Sequence, residues 1–85
     1  METFKQKVLA VVAKIPRGKT MSYREVAWRA GRPFAARAVG TIMKNNHDPK
    51  VPCHRVIRSD GGMGGYNGGG VKVKLAKLRA EGAKV

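Results

Sequence analysis

Eighty-five residues carry 18 Lys and Arg against five acids, a formal charge of +13 at pH 7. That length holds one small domain with one modest core, and the imbalance predicts attraction to a polyanion. A lone cysteine excludes an internal disulfide and any C-x-x-C structural zinc pair, and no stretch is long or apolar enough to enter a membrane.

Phe4, Val8, Val11, Val12 and Ile15 recur at helical spacing and predict a first helix that Pro16 stops. Lys5, Lys7 and Lys14 interrupt any apolar leader, so no signal peptide is expected. A reducing, cytoplasmic setting follows (nucleoid-associated in a prokaryote). Arg17-Gly18-Lys19 reads as a turn. Ser22 stands three residues before Glu25, a capping-box spacing, and opens a second helix with Val26, Ala27 and Ala30 inward and Gly31 as its C′ residue. Pro33 suits the first turn of a third helix, running through Ala35, Ala36, Arg37, Ala38, Val39, Ile42 and Met43 to about Asn45. Two short helices meeting at a tight Gly31-Arg32 turn predict a helix-turn-helix over about residues 22–45, its second helix facing a duplex. A generic helical hairpin is the commoner arrangement, but Arg24, Arg32, Arg37 and Lys44 favour DNA.

After Asn45-Asn46-His47-Asp48-Pro49 the periodicity changes. Val51 to Arg58 contains β-branched residues, Ser59-Asp60-Gly61-Gly62 is a turn signal, and Met63 to Tyr66 is a candidate return strand. A short hairpin with a loop or wing over 59–70 is therefore expected. Val71, Leu75 and Leu78 predict a last helix over about 71–82, stopped near Gly82. The expected whole is a single domain over 1–85, α+β but mainly α, winged-helix-like, without internal repeats.

The chemistry gathers at Pro52-Cys53-His54-Arg55-Val56-Ile57. Thiolate is the reactive form of cysteine, and positive surroundings stabilise it. His54 is placed to take the thiol proton, directly or through water, with an acid to orient the imidazole. Glu81 on the last helix is the best candidate, while Asp48 and Asp60 fall in loops. Adjacent residues in a regular strand point to opposite faces, so Cys53 and His54 meet only if the chain turns at Pro52. From composition alone, a small buried hydrophobe is the commoner fate of a free cysteine.

The segment Pro52-Cys53-His54-Arg55-Val56 resembles the active-site signature of the O6-alkylguanine-DNA alkyltransferases, or methylated-DNA–protein-cysteine methyltransferases. The likeness extends over roughly residues 4 to 82, in family order. Gly18-Lys19-Thr20-Met21-Ser22-Tyr23 is similar to the segment entering the helix-turn-helix, and Ala36-Arg37-Ala38-Val39-Gly40 to the recognition helix. Asn46 matches the hinge asparagine, Gly65-Tyr66-Asn67-Gly68-Gly69 the substrate-binding loop, and Leu78-Arg79-Ala80-Glu81-Gly82 the closing helix.

The resemblance implies a DNA repair protein that extrudes O6-alkylguanine from the duplex and moves the alkyl group irreversibly to Cys53 by SN2 displacement. It implies that His54 acts as base through a water, that Glu81 holds His54, and that Asn46 fixes the turn before the cysteine. Tyr66 would donate toward N3 of the leaving guanine. Val51, Asn67, Gly68 and backbone groups of Cys53 and Val56 would hold the base, Asn67 standing where the family often has a small hydroxyl residue. Arg37 would fill the vacated place in the duplex, and Tyr23 would crowd the 3′ phosphate. Ala36, Ala38 and Gly40 would admit close approach to the minor groove, with Thr20, Ser22 and Arg32 beside them on the DNA side. No cofactor and no metal are implied, and a monomer is expected.

A different class keeps a place beside this one. Alkyltransferase-like proteins bind the lesion and flag it for other repair factors without transfer, and they carry tryptophan or alanine at the cysteine position. Cys53 favours transfer. A plain winged-helix binder needs none of Cys53, His54, Tyr66 and Glu81.

Overall fold

In the computed structural model, which describes residues 2–85, helix α1 spans Phe4–Ala13. Thr3 opens it with a complete capping box: the Gln6 N–H donates to Thr3 Oγ1 at 3.2 Å and the Thr3 N–H to Gln6 Oε1 at 2.8 Å. These two bonds satisfy donors that a helix start leaves bare. Val8 and Val12 lie on its buried face, and Ile15 continues that face past the end.

A two-residue strand, β1 (Met21–Ser22), leads into α2 (Tyr23–Arg29). Ser22 caps α2 by accepting the Glu25 N–H at 2.9 Å. The expected reciprocal half of that box is absent: the Glu25 carboxylate turns outward to Arg29 at 2.9 Å. Gly31 takes the left-handed conformation with φ 93, as a C′ residue requires. Helix α3 begins only at Ala36 and runs to Asn45, so Pro33 belongs to the connection and not to the first helical turn. The helix-turn-helix forms, with a link longer than the Gly31-Arg32 turn expected.

Pro52 turns the chain into a single 3-10 turn, Cys53–Arg55, followed by β2 (Val56–Ile57). Strand β2 does not form a hairpin with the segment after it. It pairs in parallel with β1, Met21 against Val56 and Ser22 against Ile57. The physical reason lies in the wing. Gly61 and Gly64 hold φ 90 and 70, which breaks an extended run, and the Met63 and Gly65 carbonyls accept from the Lys74 ammonium. The Arg58 N–H still closes a turn onto the Gly62 carbonyl at 2.8 Å. Helix α4 then spans Gly70–Ala80, and Gly82 with φ 85 ends it.

The core lies where α1, α2 and α3 meet, and β2 seals it. Val8, Val12, Val26, Val39 and Val56 are fully buried, with Ala27, Met43 and Cys53 among them. Each buried valine or leucine stabilises by roughly 1.5–3 kcal/mol relative to exposure. Helix α4 packs on the 3-10 turn and buries Leu78 and, unexpectedly, Lys74, both 0% exposed. Among the described residues no helix is long and apolar enough to cross a membrane.

Candidate nucleophile pocket and nucleic-acid interface

The 3-10 turn resolves the Cys53–His54 geometry. Three residues per turn send neighbouring side chains in different directions. Cys53 points inward, 8% exposed, where the Asn46 Nδ2–H donates to its Sγ at 3.0 Å. This N–H complements negative charge on sulfur. Asn46 Oδ1 accepts the Asp48 N–H at 3.4 Å, which orients the amide. Asn46 therefore does more than bend the chain, because it touches the Cys53 thiol itself.

His54 points the other way, its Nε2 at 3.0 Å from Glu81 Oε1. Arg55 clamps the same carboxylate with Nε at 3.0 Å and Nη2 at 2.8 Å, and its Nη1 donates to the Ile15 carbonyl at 2.8 Å. These bonds, led by the one from Arg55, pull the Glu81 carboxyl down to about 2. Glu81 is thus a carboxylate at working pH and can only accept. The proton shared with it therefore sits on His54 Nε2, so that in the neutral tautomer the lone pair lies on Nδ1, where a general base would need it. Cys53 and His54 do not hydrogen-bond each other directly: the thiol is bonded to Asn46 and the imidazole to Glu81.

Cys53 separates two clefts of about 540 Å³ each, within the roughly 300–1,000 Å³ range of small-molecule sites. Both hold Tyr66 and Asn67. One also holds His54, Val51, Gly68 and Glu81; the other holds Tyr23, Gly40, Met43 and Gly64. The Tyr66 hydroxyl accepts from Lys77 Nζ at 2.8 Å, and Gly68 lies so close to the Tyr66 ring that a Cβ there would stand 2.6 Å from it.

One expected base contact is narrowed and another is not supported. Val56 is fully buried, and its backbone N–H is already bonded to the Cys53 carbonyl, so that N–H is not offered to a base. The Asn67 Nδ2 donates to the carbonyls of Met43, Lys44 and Asn46, at 3.3, 2.7 and 2.7 Å, so it ties off the end of α3 and has no hydrogen left for a base oxygen.

Tyr23 stands nearer the chemistry than a phosphate contact implies. Half-buried, it lines the Cys53 cavity, and its hydroxyl accepts from Lys74 Nζ at 3.3 Å, leaving the phenolic hydrogen free to point elsewhere. Burial, and secondarily the charge of a Cys53 thiolate, push its phenol upward. Burial lowers Lys74 to about 8. The sequence reading missed Lys74 and Lys77. The available signal was Lys74 standing four residues before Leu78, on the inward stripe of α4.

Beside this pocket, α3 forms one wall of an open cleft of about 870 Å³. Ala36, Arg37, Gly40 and Lys44 line it with Tyr23, Arg24 and Arg58. Arg58 is neutralised by Asp60 at 2.6 Å; Arg24, Arg37 and Lys44 make no ion pair among the described residues. Ser22 lies next to this cleft, spent on capping α2. Thr20, Arg32 and Ala38 are outside it, and the Arg32 guanidinium stacks 5.0 Å over the Phe4 ring.

The model of the DNA-binding domain of 6-O-methylguanine DNA methyltransferase matches residues 3–83. A methylated-DNA–protein-cysteine methyltransferase of Methanothermobacter thermautotrophicus is 49% identical over 82 residues, covering 96% of this chain and 46% of its own length. One from Mus musculus is 48% identical over 83 residues, covering 95% and 39%. The chain therefore spans less than half of either relative. Among solved structures, Mycobacterium tuberculosis OGT in complex with DNA superposes with a TM-score of 0.87 at 44% identity, over 95% of this chain and 49% of that one. S. pombe Atl1, bound to damaged DNA containing O6-carboxymethylguanine, superposes at 0.85 with 37% identity, over 99% and 82%.

Proposed function

This chain belongs to the family of the 6-O-methylguanine DNA methyltransferase DNA-binding domain, and from that premise we propose that it repairs duplex DNA by taking an alkyl group from O6 of guanine onto Cys53. One observation carries the reading. A sulfur that accepts an amide N–H sits at the junction of two clefts, one sharing Tyr23 and Gly40 with the cationic surface of α3, the other holding the His54–Glu81 pair.

The duplex lies against α3, minor groove inward, with the small Ala36 and Gly40 at the closest approach and Arg37 replacing the extruded nucleotide. Extrusion costs a few kcal/mol of stacking and pairing. His54 Nδ1 accepts the thiol proton through a water. The sulfur lone pair forms the S–C bond as the C–O6 bond breaks, and its electron pair leaves on guanine O6. The guanine anion takes up one proton from water while His54 returns the thiol proton to water, so the exchange balances; Tyr66 and Tyr23, which line the cavity, would donate hydrogen bonds to the base as it departs. The product is a thioether without a carbonyl for water to attack, so each molecule acts once.

The test is intact mass after incubation with a duplex containing O6-methylguanine. The protein should gain one methylene, and Cys53→Ser should gain nothing. Tight lesion binding without a mass change would replace transfer with the lesion-sensor function.

A further inference from the structure

Phe34 is 99% exposed, although it directly precedes the N-cap of α3. It contributes nothing to the core, so the fold does not account for it. Single exposed apolar residues are ordinary, but its position is not. Phe34 lines the same open cleft as Arg24, Arg37 and Lys44, three cations without an ion-pair partner among the described residues. It also lines the adjoining cleft with Pro33 and Trp28, itself 64% exposed. An aromatic ring set among unpaired cations suits a polyanion that also has apolar faces, which nucleic acid has and a purely acidic peptide lacks. Aromatic stacking combined with a cationic track is a recurring way to hold bases, and minor-groove binders insert apolar wedges between base steps.

We propose that Phe34 is a second DNA-contacting wedge beside Arg37, its ring packing on deoxyribose and base edges next to the extruded nucleotide. This rests on the alkyltransferase reading for its duplex orientation, and on the shared cleft for its contact. Arg37 contributes charge and hydrogen bonds; Phe34 contributes apolar area, which salt does not screen.

The experiment compares the protein with Phe34→Ala and Phe34→Tyr. Both should melt like the parent, since the ring touches no core residue. By fluorescence anisotropy on an undamaged duplex, Phe34→Ala should bind roughly tenfold more weakly, with the slope of log affinity against log salt unchanged because no phosphate contact is lost. Phe34→Tyr should bind like the parent. Alkylation by free O6-benzylguanine should be equal in all three. Unchanged duplex affinity in Phe34→Ala, or a shallower salt slope, overturns the proposal. So does a loss of self-association in sedimentation with DNA binding intact, which would assign the ring to contacts between copies of the chain. A parent that binds duplex but gains no methylene defeats the transfer reading alone, leaving the anisotropy comparison to judge the wedge.

Discussion

Replacing Glu81 with glutamine keeps the shape of the His54–Arg55–Glu81 cluster and removes its charge. The Glu81 side chain is 15% exposed and takes bonds of 2.8 to 3.0 Å from two residues. Its carboxyl falls from 4.5 to about 2 on folding. At 1.36 kcal/mol per unit, that difference sets a ceiling of about 3 kcal/mol on the stability Glu81 adds. Partial solvent screening and the bonds a glutamine retains bring the expected loss in Glu81→Gln to about 2 kcal/mol near neutral pH. For a domain of this size that lowers Tm by about 8–16 °C. The folded value lies below the unfolded one, so the contribution is complete above about 4.5 and fades as pH falls toward 2. Urea melts of parent and variant at pH 7 and pH 3 read this directly. The gap between them should shrink by about half or more at pH 3. A gap of equal size at both values would show that the charge of Glu81 is not what holds α4 to the 3-10 turn.

Two further perturbations address residues whose roles the tertiary structure assigned. Asn67→Ala removes the amide donor shared by the Met43, Lys44 and Asn46 carbonyls at the end of α3 and should cost about 0.5–1.5 kcal/mol in a urea melt; a variant as stable as the parent would refute the capping role. Lys74→Met removes a buried ammonium whose pKa drops from 10.5 to about 8. Between those values the unfolded chain holds a proton that the folded one has released, so the parent gains stability as pH rises through that window. Melts at pH 7.5 and 10 should show a larger rise in the parent than in Lys74→Met, and equal rises would refute the burial.

Periodicity and local chemistry made the helical part of this chain legible. Val8, Val12 and Ile15, the Ser22 cap, and Gly31 and Gly82 as stops act within a turn or two of themselves, so their spacing carries the information. Pro33 misled because a proline suits a connection as well as a first helical turn. The wing misled for a different reason. Strand partners are chosen by distant groups: β2 pairs with β1, and Lys74 collects the Met63 and Gly65 carbonyls that a hairpin would have needed.

The site divides along the same line. The order of residues in Pro52-Cys53-His54-Arg55 placed a thiol and an imidazole side by side in the chain, and the charge of +13 announced a polyanionic partner. Which way each side chain points was decided only by the fold. The 3-10 turn sends Cys53 to Asn46, seven residues upstream, and His54 to Glu81, 27 residues downstream. Likewise, nothing local tells that Asn67 ties off α3 or that Tyr23 enters the cysteine cavity. A hydrogen bond depends on distances of about 3 Å and on direction, and for groups so far apart along the chain only the packing of the helices supplies either.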